Sequence, residues 1–124
     1  MIKDKEKYNK QLVESIVEGM QDVKAHDIVV MDMREIPNAI TDYFVVCHGD
    51  SNTQVEAIAR SIEEETFESL RDKPWHREGI ENSQWVLIDY VNVVAHVFYK
   101  EAREFYDIEG LWADAKSKKI DYQI

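Results

Sequence analysis

The densest apolar stretch of the chain runs from Trp85 to Tyr99, W-V-L-I-D-Y-V-N-V-V-A-H-V-F-Y. It is almost continuously apolar and rich in β-branched residues, which predicts strands buried on both faces. A tight turn near Val91-Asn92 divides it into two strands, about Gln84–Asp89 and Val93–Tyr99. The polar-aromatic run at Lys100–Trp112 follows at once, with Phe105, Tyr106, Ile108, Leu111 and Trp112 set among charges. That spacing predicts a helical segment over Lys100–Ala115 that closes a core. A sheet this apolar in so small a chain raises the question of what covers its second face, and a partner protein is one answer.

Upstream, Leu12, Val13, Ile16, Val17 and Met20 fall at helical spacing, so Lys5 to about Lys24 reads as an amphipathic helix. Ile28–Met33 and Tyr43–Cys47 read as strands, joined across Pro37, which has no N–H to give to a ladder. Ser51 or Asn52 is the expected N-cap of a long helix to about Arg71, with Val55, Ile58, Ala59, Ile62, Phe67 and Leu70 as its buried stripe and Glu63, Glu64 and Glu65 facing water. Asp72-Lys73-Pro74 ends it, and Trp75–Gly79 reads as a short strand. Beyond Ala115, Lys116, Lys118 and Lys119 form a basic tail expected to fray. The order α-β-β-α-β-β-β-α predicts one α+β domain over residues 1–124, with a mixed sheet of about five strands and helices packed on it. No repeats, low-complexity tracts or linkers interrupt it. Strand order in space does not follow from the pattern.

Composition narrows the function classes. The 124 residues carry 25 Asp and Glu against 15 Lys and Arg, a formal charge of −10. That balance argues against direct nucleic-acid binding, which needs a basic stripe. It suits either a basic protein partner or simple solubility. One cysteine, Cys47, excludes an internal disulfide and fits a reducing compartment. No apolar run reaches the roughly 18–20 residues that span a bilayer, and no signal-peptide core is present. A soluble cytoplasmic protein with no membrane association is the expectation.

Few residues offer chemistry. His26, His48, His76 and His96 show no zinc-site spacing. His96 lies mid-strand, where a histidine is either a hydrogen-bonded structural residue or a ligand or base. His48 adjoins Cys47, but neighbours on a strand point to opposite faces, which disfavours a thiol–imidazole pair. Gly49-Asp50-Ser51 before a helix has the outline of a phosphate-binding turn, yet there is no P-loop lysine, no G-x-G-x-x-G and no acidic pair for a metal. Asp89 stands in an otherwise apolar strand, so it must be paired, exposed or committed to a partner, and Arg103 is a candidate mate. Trp85 opens its strand just after E-N-S-Q, where a tryptophan belongs either to the core or to an interface. Trp112 and Phe98 read as core.

Six segments in order and spacing carry a resemblance to a known family. They are D-I-V-V-M-D-M (Asp27–Met33), I-T-D-Y-F-V-V-C-H-G-D-S-N-T-Q-V (Ile40–Val55), W-H-R-E-G (Trp75–Gly79), W-V-L-I-D-Y (Trp85–Tyr90), V-V-A-H-V-F (Val93–Phe98) and R-E-F-Y-D-I-E-G-L-W (Arg103–Trp112). The set resembles the ribosomal silencing factor family, RsfS or Iojap. The chain departs from it at Val91-Asn92, where the family commonly has Gly-Asp, and at His48, where it often has Thr or Ser.

The resemblance implies a non-enzymatic translation repressor with a nucleotidyltransferase-like sheet that lacks catalytic residues. It implies binding to the large ribosomal subunit through ribosomal protein number fourteen, which blocks subunit joining when nutrients are scarce. Organellar relatives assist large-subunit assembly. The partner surface it implies includes Trp85 and Tyr90, with no cofactor; Asp89 and His96 are expected to make polar contacts nearby. Two other readings stay open. One is a degenerate nucleotide-binding protein using Gly49, Ser51 and Asp89. The other is a homodimer whose sheet faces pack on each other.

Overall fold

In a computed structural model, residues 2–121 are described. They comprise α1 (Ile2–Asp22), β1 (His26–Asp32), β2 (Tyr43–Gly49), α2 (Asn52–Leu70), β3 (His76–Glu78), β4 (Trp85–Asp89), β5 (Val93–Tyr99), α3 (Lys100–Tyr106), α4 (Ile108–Leu111) and β6 (Lys116–Lys119). The six strands form one mixed sheet in the order β3-β4-β5-β2-β1-β6. Only β2 and β5 are parallel, in register from Tyr43↔Val93 to Gly49↔Tyr99; the other neighbours are antiparallel.

β2 and β5 occupy the middle of the sheet, and all but one residue of each is buried. Strand alternation sends their side chains into two separate cores. Val45, Cys47, Val93, Ala95 and Val97 face α1 and α2, with Leu12, Ile16, Met20, Val55, Ile58 and Ile62 packed over them. Phe44, Val46, Val94 and Phe98 face the other way, with Met31 and Met33, beneath Ala102, Ile108 and Ala115. The chain therefore covers most of the second sheet face with its own C-terminal segment.

The helix ends follow from local chemistry. Ser51 caps α2 by accepting from the Gln54 N–H at 3.1 Å, and Arg71 closes it in the left-handed conformation. Asp107, also left-handed, breaks the predicted C-terminal helix in two. It ends α3 and caps α4 by accepting from the Gly110 N–H at 3.2 Å.

Four expectations are corrected. The basic tail is not frayed at Lys116–Lys119, which pairs with Val29–Asp32 as a sixth strand. Its exposed lysines show no strand periodicity; the ladder comes from backbone hydrogen bonds to β1. Phe67 is not in the buried stripe of α2: it is exposed, with the cationic groups of Arg71 and Lys73 over its ring. Glu63 is not simply solvated, because it pairs with Arg77 at 2.5 Å. Phe105, Tyr106 and Leu111 do not close the core, since all three are exposed; Ile108 does so, with Ala102, Ala115 and the part-buried Trp112.

Two backbone positions give the fold direct tests. α1 crosses α2 at Gly19, where a Cβ would lie 2.8 Å from the Ile62 Cα, and the Gly19 carbonyl accepts from Ser61 Oγ at 2.7 Å. Gly19→Ala should lower stability by about 1–3 kcal/mol despite alanine's better helix propensity, because backbone must move; urea denaturation reads the change. The turn from β4 to β5 forces Val91 to φ +77°, with the Asn92 N–H bonded to the Tyr90 carbonyl. A β-branched residue is strained there. Val91→Gly should raise stability by about 1 kcal/mol, read as a higher melting temperature.

Candidate aromatic face

The alternation of β4 sets the site. Val86 and Ile88 go into the core under α2, and Trp85, Leu87 and Asp89 go to the other face, each half-buried. Across the ladder, Trp85 lies opposite Phe98, Leu87 opposite His96 and Asp89 opposite Val94. On the outer side, His76 and Glu78 of β3 lie opposite Asp89 and Leu87. Gly79, at φ +85°, turns the chain back tightly enough that a Cβ there would collide with the Trp85 carbonyl. That turn places Trp85 at the head of its strand.

Trp85 is held by three rings. It stacks on Phe98 at 4.9 Å between centroids and meets Tyr106 of α3 at 4.8 Å. Its indole Nε1 donates to His96 Nδ1 at 3.1 Å, and His96 in turn meets Phe44 edge-on at 4.5 Å. His96 is only 4% exposed. Because Nδ1 accepts, the ring proton sits on Nε2, which is buried and has no partner among the described residues. Burial penalises the imidazolium and lowers the pKa to about 4. His96 is thus a neutral structural acceptor for Trp85.

The remaining candidates separate cleanly. Asp89 accepts from the Val91 N–H at 2.7 Å and so secures the tight turn. Arg103, its expected mate, points elsewhere: it donates to Glu109 at 2.8 Å and to His48 Nδ1 at 2.8 Å. Tyr90 is removed from the face altogether. It lies 7% exposed in the core under α2, its hydroxyl 2.8 Å from that of Thr66. The strand ends at Asp89, so alternation continues only one residue further and carries Tyr90 to the opposite side.

Cys47 and His48 do face apart. Cys47 lies in the core under α2, and burial pushes its thiol up to about 12, which keeps it protonated and unreactive. His48 meets Arg103 on the far side, and burial followed by the guanidinium charge lowers its pKa. At the turn after β2, Asp50 is bonded to His26 at 2.9 Å. Among the described residues no group of three His, Cys, Asp or Glu side chains is placed to hold a metal ion, and no helix is long and apolar enough to cross a membrane. Sequence reasoning missed Leu87 and Tyr106 on the aromatic face. The spacing W-x-L-x-D is the period-2 signal for the first; nothing local signals the second.

These features define a small α+β protein with one helical layer and one part-covered aromatic face. The comparisons place it more closely. Residues 6–124 match the family model described as "Ribosomal silencing factor during starvation". Ribosomal silencing factor RsfS of Bacillus subtilis is 39% identical over 91% of this chain and 94% of its own length. The protein of that name from Halalkalibacterium halodurans is 38% identical over 91% and 95%. A crystal structure of a Chromobacterium violaceum protein superposes with a TM-score of 0.79 at 32% identity, covering 93% of this chain and 92% of that one. The chain belongs to the RsfS family of ribosomal silencing factors.

The buried neutral histidines make stability pH-dependent. His96 has a pKa near 6.5 when unfolded and about 4 when folded, so the unfolded state binds more protons between those values. Its stabilisation is full above pH 6.5 and is lost as pH falls towards 4; His48 acts in the same direction. Unfolding free energy should fall by about 2 kcal/mol from His96 alone between pH 7 and pH 5. His96→Gln should remove that part of the slope in urea titrations run at both pH values.

Proposed function

We propose that this chain silences translation by docking its Trp85 face on the large ribosomal subunit through ribosomal protein number fourteen, where its bulk excludes the small subunit. Membership of the silencing-factor family supports the general role. The observation that carries the surface is the half-buried Trp85, fixed by His96 and two rings yet still open to solvent. A rigid aromatic at a face is the kind of residue that anchors an interface, because little conformational freedom is lost on binding. Leu87 adds apolar area beside it. The charge of −10 favours a basic protein over bare RNA as the contact. Exclusion of the small subunit then requires residence at the joining face and no catalysis. Tyr90 contributes by bracing β4 against α2, Asp89 by holding the turn, and His96 by orienting the indole.

Co-sedimentation with isolated large subunits tests the reading. Wild type should pellet stoichiometrically, and folded Trp85→Ala should bind at least about thirtyfold more weakly, the cost of losing a hot spot of about 2 kcal/mol. Pelleting by both proteins would move the site away from Trp85. Failure of wild type to pellet would reject large-subunit docking.

A further inference from the structure

A line of four rings runs from the core of this protein to water. Phe98 is fully buried, Trp85 stacks on it at 4.9 Å, Tyr106 lies 4.8 Å beyond, and Phe105 meets Tyr106 edge-on at 5.1 Å. Exposure rises along the line to 50% at Tyr106 and 80% at Phe105. Leu111 of α4, 74% exposed, adds a further apolar side chain on the same short segment. Isolated surface hydrophobics need no explanation, but a continuous row joined to a half-open tryptophan does.

Phe105 is not needed to hold α3 in place. A seven-residue helix has little stability of its own and relies on tertiary anchors. Here these are the buried Ala102 and Ile108, and Arg103, bonded to Glu109 and His48. The outward side chains are free for another purpose, and their surroundings are acidic. Lys100–Ala115 carries five acids, Glu101, Glu104, Asp107, Glu109 and Asp114, against two bases, Lys100 and Arg103. Glu109 neutralises Arg103, while Glu101, Glu104, Asp107 and Asp114 are exposed. Glu101 lies one turn before Phe105 on the same side of the helix.

We propose that α3 and α4 form the second half of the docking surface and receive a Lys/Arg-rich, partly apolar segment of the same ribosomal protein. Phe105 and Tyr106 pack against its apolar side chains, and Glu101 and Glu104 meet its cations. The inference rests on the docking reading above and extends it from β4 to the helical segment. Charge selects this occupant. A second copy would set the same acids against one another across a two-fold axis, and nucleic acid would be repelled by them.

The test is a titration of large subunits and, separately, of isolated ribosomal protein number fourteen. The proteins compared are wild type, Trp85→Ala, Phe105→Ala, the pair Glu101→Gln with Glu104→Gln, and a control pair, Glu14→Gln with Glu18→Gln, on exposed positions of α1. Phe105→Ala should keep the wild-type melting temperature and weaken both associations by about tenfold or more. The acidic pair should slow association and flatten its salt dependence, while the control pair leaves both unchanged. If Phe105→Ala and the acidic pair bind as wild type while Trp85→Ala does not, the extension is wrong and the Trp85 site stands. Loss on subunits with normal binding to the isolated protein would overturn the assigned occupant. A dimer that Phe105→Ala dissolves while ribosome binding is unchanged would assign the row to a second copy and overturn the proposal. Wild type that binds neither target would remove the docking reading and this inference together.

Discussion

The seven-residue parallel pairing of β2 with β5 is the constraint on which the rest of the molecule depends. Parallel strands cannot be joined by a hairpin, so the chain between them must leave the sheet and return. It does so through α2 and then adds β3 and β4 before closing with β5. Both central strands are apolar on both faces, which requires two covers. One is the pair α1 and α2, brought close by Gly19. The other is α3 and α4, too short to cover the whole second face, so the β4 side of it remains partly open. The proposed docking surface is thus a remainder of the packing problem.

The geometry at Trp85 shows how that remainder is made rigid. An indole N–H buried without an acceptor is costly, and His96 supplies the acceptor from the neighbouring strand. The arrangement works only with a neutral imidazole, which burial enforces. It leaves His96 Nε2 without a partner among the described residues, so one orphaned donor is exchanged for a fixed indole. A surface aromatic that keeps one orientation when free loses little entropy when covered.

The strands and α2 were legible in the chain because each has a local signal. Dense β-branched runs marked β2, β4 and β5, and Ser51 marked the start of α2. β6 was not legible, since K-S-K-K has no apolar period and its partner lies about ninety residues earlier in β1. One partner of Arg103 was hidden for the same reason, as His48 is 55 positions away. At the site, Trp85 and the strand position of His96 could be read, and the Trp85–His96 bond follows only once β4 and β5 are in register. Tyr90, expected on the partner surface, lies in the core under α2, because a residue just past a strand end still obeys the alternation, which its place in a motif does not reveal. Asp89 had a local signal: an acid two residues before a turn N–H commonly bonds it, as here.

The two ends of the sheet complete the picture. β3 has three exposed residues, His76, Arg77 and Glu78, and β6 exposes Lys116, Ser117, Lys118 and Lys119. An incoming strand would have to bury charge to extend the ladder at either end. Charge thus opposes edge-to-edge pairing at both ends of the sheet. Any face used to bind a partner is thereby kept apart from the edges at which strands could add without limit.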